Sequence, residues 1–101
     1  MSNVIKEHEV MAGKLKAIGH PMRVALFHLL CNCETEGLSV KSLYQSLGID
    51  QPTTSRHLAV MRNSGLISRR VTGGQTSYCL CFNDPFVKCL SGCFITNNKI
   101  E

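Results

Sequence analysis

The stretch Gln51-Pro52-Thr53-Thr54-Ser55-Arg56-His57-Leu58 decides the fold. Asp50 before it is a residue type that caps helix N-termini, Pro52 is tolerated in a first turn, and Gly65 suits a helix end. Between these signals runs one helix, with Leu58 and Met61 facing inward and Thr53, Thr54, Ser55, Arg56 and His57 supplying short polar or basic groups. A helix laid in the major groove of DNA meets base edges and phosphates, so it needs such groups on short stems. A solvated surface helix has the same composition, and the neighbouring segments have to decide between the two.

Just upstream, Val40, Leu43, Tyr44 and Leu47 form a helical stripe, with Ser39 as N-cap and Gly48 placed to end it. Two helices joined by so short a turn make a helix-turn-helix. Downstream, Leu66 to Val71 and Thr76 to Phe82 read as strands around Thr72-Gly73-Gly74-Gln75, a β-hairpin in the position of a wing. Alternation puts Thr76, Tyr78, Leu80 and Phe82 on an apolar face and Ser77, Cys79 and Cys81 on the outer one. Towards the N-terminus, Val4, His8, Met11, Leu15 and Ile18 mark an amphipathic first helix. Pro21 opens a second, with the stripe Met22, Ala25, Leu26, Leu29 and Leu30, which fades near Asn32 into the polar loop Glu34-Thr35-Glu36-Gly37. The last helix starts at Asp84-Pro85 and carries Phe86, Val87, Cys89, Leu90, Cys93 and Phe94 on nearly all its faces.

These elements predict a mainly α winged helix-turn-helix with one β-hairpin, in the order α-α-α-α-β-β-α. It is a single domain over residues 1–95 with a frayed tail over 96–101. The apolar first and last helices predict a homodimer joined through them. At 101 residues the chain can bury one core but has little room for an enclosed catalytic cleft, and no nucleophile–base pair, phosphate loop or paired carboxylates stand at useful spacing. No enzyme is expected. The absence of an 18-residue apolar run or a signal-like start predicts a cytoplasmic protein without a membrane partner.

The formal charge is +4, and its placement says more than its size. Between Ser39 and Gln75, Lys41, Arg56, Arg62, Arg69 and Arg70 stand against one acid, Asp50; over the rest of the chain cations and acids balance. That is the footprint expected for double-stranded DNA. The expected contacts are Gln51, Thr53, Thr54 and His57 towards bases or phosphates, and Lys41, Arg56 and Arg62 towards the backbone. Arg69, Arg70 and Gln75 hold flanking phosphate from the wing. Two-fold symmetry then calls for an inverted-repeat operator with half-sites ~34 Å apart.

Three runs carry a resemblance: Leu15-Lys16-Ala17-Ile18-Gly19-His20-Pro21-Met22-Arg23, the stretch from Gln51 to Leu58, and Met61-Arg62-Asn63-Ser64-Gly65-Leu66-Ile67. With Arg69-Arg70 before Gly73-Gly74 and Tyr78 after, they resemble the arsenic-repressor (ArsR/SmtB) family of bacterial winged-helix regulators, over roughly Leu15 to Phe94. The resemblance implies a homodimeric repressor that needs no cofactor to bind DNA and leaves its operator when an inducer reaches the protein. Many arsenite- and cadmium-sensing members carry Cys-x-Cys in the third helix, where this chain has Ser39-Val40-Lys41. Other members place several cysteines near the terminal helix, or use one cysteine each from the second and last helices to sense sulfur oxidants.

Six cysteines come as Cys31-x-Cys33, Cys79-x-Cys81 and Cys89-x3-Cys93, and none has the Cys-x2-Cys spacing of a zinc ribbon or a thioredoxin site. Cys89 and Cys93, one helical turn apart, present two thiols that a soft ion can bridge, with Cys31 and Cys33 next in rank. The expected inducer is a soft metal or metalloid, arsenite first and cadmium or lead as alternatives; a sulfur oxidant suits the same thiols. A thiol metal-handling protein without specific DNA binding is the competing class. Single free cysteines also serve simply as small buried hydrophobes. His8 and His28 are read as packing residues near the core or the interface, and His20 as a local cap.

Overall fold

A computed structural model describes the backbone of residues 2–32 and 37–100 and the side chains of 5–32 and 37–94. The order is α1 (Ser2–Ile18), α2 (Pro21–Cys31), β1 (Leu38–Ser39), α3 (Val40–Leu47), α4 (Gln51–Asn63), β2 (Ile67–Thr72), β3 (Gln75–Leu80) and α5 (Pro85–Ile100). Helix starts follow local chemistry. The Nδ1 of His20 accepts the Met22 N–H at 3.1 Å, the Ser39 hydroxyl accepts Ser42 N–H at 3.1 Å, and Asp50 accepts Thr53 N–H at 3.1 Å. Asp84 Oδ1 accepts the N–H groups of Phe86 and Val87 at the start of α5. Gly48 closes α3 with φ +68°, a conformation that costs a residue without a Cβ little.

The core is formed by Leu26, Phe27 and Leu30 of α2, Leu43 of α3, Leu58 and Met61 of α4, and Leu66, Ile67, Leu80 and Val87 beyond them. α5 is tied to α2 by rings, Phe94 lying 6.0 Å from Phe27 and stacking on His28 at 4.5 Å. Lys14 of α1 pairs with Asp84, which joins the first helix to the start of the last.

Several elements depart from the sequence reading. The hairpin is part of a three-stranded antiparallel sheet of order β1-β3-β2, because Leu38 and Ser39 pair with Tyr78 and Ser77. Gly37 makes that approach possible: at φ +81° a Cβ there would lie 2.6 Å from the Tyr78 carbonyl oxygen. The outer-face assignment of Cys81 fails. β3 stops at Leu80, and Cys81 folds against the core with its N–H on the Leu66 carbonyl at 3.0 Å, while Phe82 turns out to solvent. α5 continues through Ile100, past the boundary at 95 that the polar Thr96-Asn97-Asn98 run predicts. His8 is exposed in the single chain, which takes it out of the core and leaves the interface position that its helical face also allows. Among the described side chains of the α1 seam only Ile18, with Ala17, is buried; Met11 and Leu15 are 43% and 53% exposed.

Candidate nucleic-acid interface and thiol sites

α4 packs on α1, α2 and α3 and turns its opposite side outward. Thr54, Leu58 and Met61 form the buried face, whereas Gln51, Ser55, Arg56 and Arg62 are exposed. This corrects one predicted contact. Thr54 has no exposed surface, and its hydroxyl donates to the Asp50 carbonyl at 3.0 Å, so it locks the first turn and is turned away from the exposed face of α4. Ser55 occupies the outward place beside Arg56 that the reading gave to Thr54. Thr53 is half-exposed, its hydroxyl donating to the Asp50 carboxylate at 2.8 Å and lying 3.5 Å from the Arg56 guanidinium. Those bonds from the Thr53 hydroxyl and backbone hold the Asp50 carboxyl below the usual carboxylate range, so the one acid in the basic segment stays ionised and engaged.

His57 is half-buried on the flank of α4, its ring 4.6 Å from that of His20. Burial, then the nearby His20, Arg23 and Arg56, lower its pKa, so it is neutral at pH 7. A neutral imidazole keeps one N–H donor but brings no charge to a phosphate.

On the other flank the structure brings together residues far apart in sequence. Lys41 at the start of α3, Gln51 at the start of α4, and Arg69 and Gln75 of the wing line one open groove. Within the wing the two arginines part company. Arg69 is paired with Tyr78 and Arg70 with Ser77, so alternation sends them to opposite faces. Arg69 enters the groove beside α4, while Arg70 lies beside Ser39 and Ser77 at the β1 edge, with a contact to Cys79 Sγ at 3.6 Å. The Gly73–Gly74 turn, with φ +57° and +82°, is the tight two-residue kind that fixes this register.

A model of the family described as "Bacterial regulatory protein, arsR family" matches residues 20–69, which run from the α2 cap through the first arginine of the wing. The transcriptional repressor BigR from Xylella fastidiosa has the same fold at TM-score 0.70 and 33% identity, over 94% of this chain and 92% of that one. The chain belongs to the arsR family. The relatives it matches in this family are regulators of transcription. The "Biofilm growth-associated repressor" of the same organism (strain Temecula1) is 38% identical over 65 residues, 64% of this chain and 54% of that protein. The arsR-family chain thus spans about half the length of the curated relative it matches. The homodimeric winged helix-turn-helix DNA-binding domain Mb0332 from Mycobacterium bovis superposes at TM-score 0.81 and 18% identity, over 98% of this chain and 87% of that one, which bears on the fold alone.

The thiols fall into different settings. Cys89 and Cys93 lie exposed on α5, one turn apart, with Cys93 Sγ 3.9 Å from the Cys89 carbonyl oxygen. Cys31 packs against the core at the end of α2, and burial pushes its thiol up to about 11, so it stays protonated at neutral pH. Cys33 lies outside the described residues. Cys81 is raised in the same way, mainly by burial, and Cys79 sits against the Ser68 hydroxyl at 3.4 Å. Among the described residues of one chain, no three His, Cys, Asp or Glu side chains converge as metal ligands do. No described helix is long and apolar enough to cross a membrane.

Proposed function

We propose that the protein is a homodimeric transcriptional repressor whose α4 enters the major groove of an inverted-repeat operator and whose terminal thiols release it. The observation that carries this reading is the groove in which Lys41, Gln51, Arg69 and Gln75 converge beside the exposed face of α4. Gln51 and Ser55 face base edges, Arg56, Arg62 and Lys41 meet the backbone, and Arg69 and Arg70 grip phosphates on the two sides of the wing. The dimer rests on α1. Ile5, Val10, Met11 and Leu15 are each 43% to 59% exposed, an apolar helix surface that a second copy would cover.

Cys89 and Cys93 supply two sulfur ligands for a soft ion, arsenite first, then cadmium or lead. A third ligand would come from Cys33 or from the partner subunit. Capture across the interface changes how the two α4 helices are spaced, and a coupling of ~1–3 kcal/mol lowers operator affinity about 5- to 150-fold. One observation favours a second reading, in which two thiols are oxidised by a persulfide or polysulfide. The Phe27–Phe94 contact joins α2 to α5, with Cys31 one helical turn after Phe27 and Cys93 next to Phe94 in sequence, and a two-thiol reaction needs no third ligand. Forming that disulfide removes two protons and two electrons from the thiols, which cleave one S–S bond of the oxidant: a persulfide leaves as its thiol and hydrogen sulfide, a polysulfide as hydrogen sulfide and a chain one sulfur shorter.

A mobility-shift titration of Cys89→Ser/Cys93→Ser, with arsenite and with polysulfide, tests both. The double variant binds as the native protein does and no longer releases with arsenite. If it still releases, the assignment of these two thiols is wrong.

A further inference from the structure

A second basic groove runs along the opposite flank of α4, and nothing above gives it a role. It lies between α1, α2 and α4 and is lined by Lys16, Arg23, Val60, Asn63 and Ser64, with no acidic side chain in it. Val60 follows Gln51 by about two and a half helical turns, so the two residues sit on opposite sides of α4. The charges in this groove are unspent. Lys14, nearby on α1, is neutralised by Asp84, but Lys16 and Arg23 have no ion-pair partner among the described residues. The Arg23 Nε is sealed from solvent without a hydrogen-bond partner, so no acceptor of the chain satisfies it. Asn63 is exposed at the rim. The Ser64 hydroxyl is committed to the Val60 and Met61 carbonyls at 3.1 and 3.0 Å, which leaves Lys16, Arg23 and Asn63 as the available donors.

We infer that this groove is a second phosphate-binding surface, which holds the DNA backbone across the major groove from the strand gripped by Lys41 and the wing. The major groove is about 12 Å wide and is bounded by two phosphate backbones, and an α-helix with its side chains is about 10–12 Å across. A helix that fills the groove therefore meets phosphate on both flanks. The Lys41, Gln51, Arg69 and Gln75 groove answers one backbone, and the Lys16, Arg23 and Asn63 groove answers the other. Clamped from both sides, α4 is fixed about its own axis, which sets which of its residues meet the bases.

The inference rests on the DNA-binding reading, and one experiment separates the two. The duplex that the native protein selects from a randomised pool is titrated at several salt concentrations with native protein, Lys16→Gln, Arg23→Gln and Lys41→Gln. Each lost phosphate contact lowers the slope of log K against log salt by about 0.9 per bound subunit. Lys16→Gln and Arg23→Gln are expected to lower it as Lys41→Gln does. Should Arg23→Gln fold poorly, the exposed Lys16→Gln carries the test alone, together with ethylation interference: native protein should show interfering phosphates on both backbones bounding α4, and Lys16→Gln should lose one on the backbone away from the wing. An unchanged slope and unchanged interference in Lys16→Gln, with Lys41→Gln lowered, overturns the second surface and leaves the DNA reading intact. If the native protein selects no sequence, the DNA-binding reading itself falls, and this inference with it.

Discussion

The two ends of this molecule differ in how much of their structure a single chain completes. At the α4 end the starts of α3 and α4 have their caps, the turn glycines sit at the positive φ their positions require, and the side chains of Asp50 and Thr53 are bonded to one another. At the α1 and α5 end, large apolar side chains stand in solvent and two thiols face outward without partners to complete a site. A surface that reads a fixed polymer gains from being rigid before contact, since ordering costs are then met in folding and not in binding. A surface that responds to an inducer has to have two states, and on the proposed reading an interface with a second copy would supply them.

The contrast is broken most severely at the dimer surface. Met11→Glu/Leu15→Glu places charges where the second copy is expected to pack; sedimentation should show a monomer, and loss of half the phosphate contacts should weaken DNA binding by a factor on the order of 10³. Next in size is Leu58→Ala. It empties a fully buried position beneath α4 and should cost ~2–5 kcal/mol in denaturant unfolding. Gln51→Ala should lose about 1–3 kcal/mol of discrimination at one base pair of each half-site, read by competition with single-base variants of the selected duplex. Thr54→Val sharpens the comparison because it separates scaffold from reader: thermal unfolding should show a loss of about 1 kcal/mol, with the base preferences unchanged.

A smaller effect follows from pH. The folded-state pKa of His57 lies below its ordinary 6.5 because the ring is buried beside His20, Arg23 and Arg56. As pH falls below 6.5 the unfolded chain takes up that proton before the folded one, so stability is present above this pH and declines on acidification. His57→Gln should flatten the fall in Tm between pH 7 and pH 5. An identical fall in the variant would assign the acid sensitivity to other groups.

Much of the α4 end was legible in the chain because its signals are local. Asp50, Pro52 and Gly65 bound one helix, and Gly73–Gly74 names its hairpin. Which way a residue faces was less so. Thr53 and Thr54 are chemically alike, and a rotation of ~100° per residue about α4, set by how α4 seats on α2 and α3, buries the second. β1 has two residues and thus no alternation to detect, and Cys81 turned inward because β3 ends two residues earlier than its pattern suggests. The position of Lys16 and Arg23 beside α4 was invisible to a charge count along the sequence, since they belong to the segment where charges balance and reach α4 through tertiary packing alone. For the thiols the sequence shows spacing, whereas burial separates the protonated Cys31 from the exposed Cys89 and Cys93.

Selection of DNA from a randomised pool by the native protein, followed by sequencing of the bound duplexes, tests most directly whether a symmetric pair of α4 helices reads DNA. The account predicts enrichment of an inverted repeat whose half-site centres lie ~34 Å apart, about one turn of the double helix, or a multiple of that. Enrichment of a single unrepeated motif, or no enrichment at all, would contradict it.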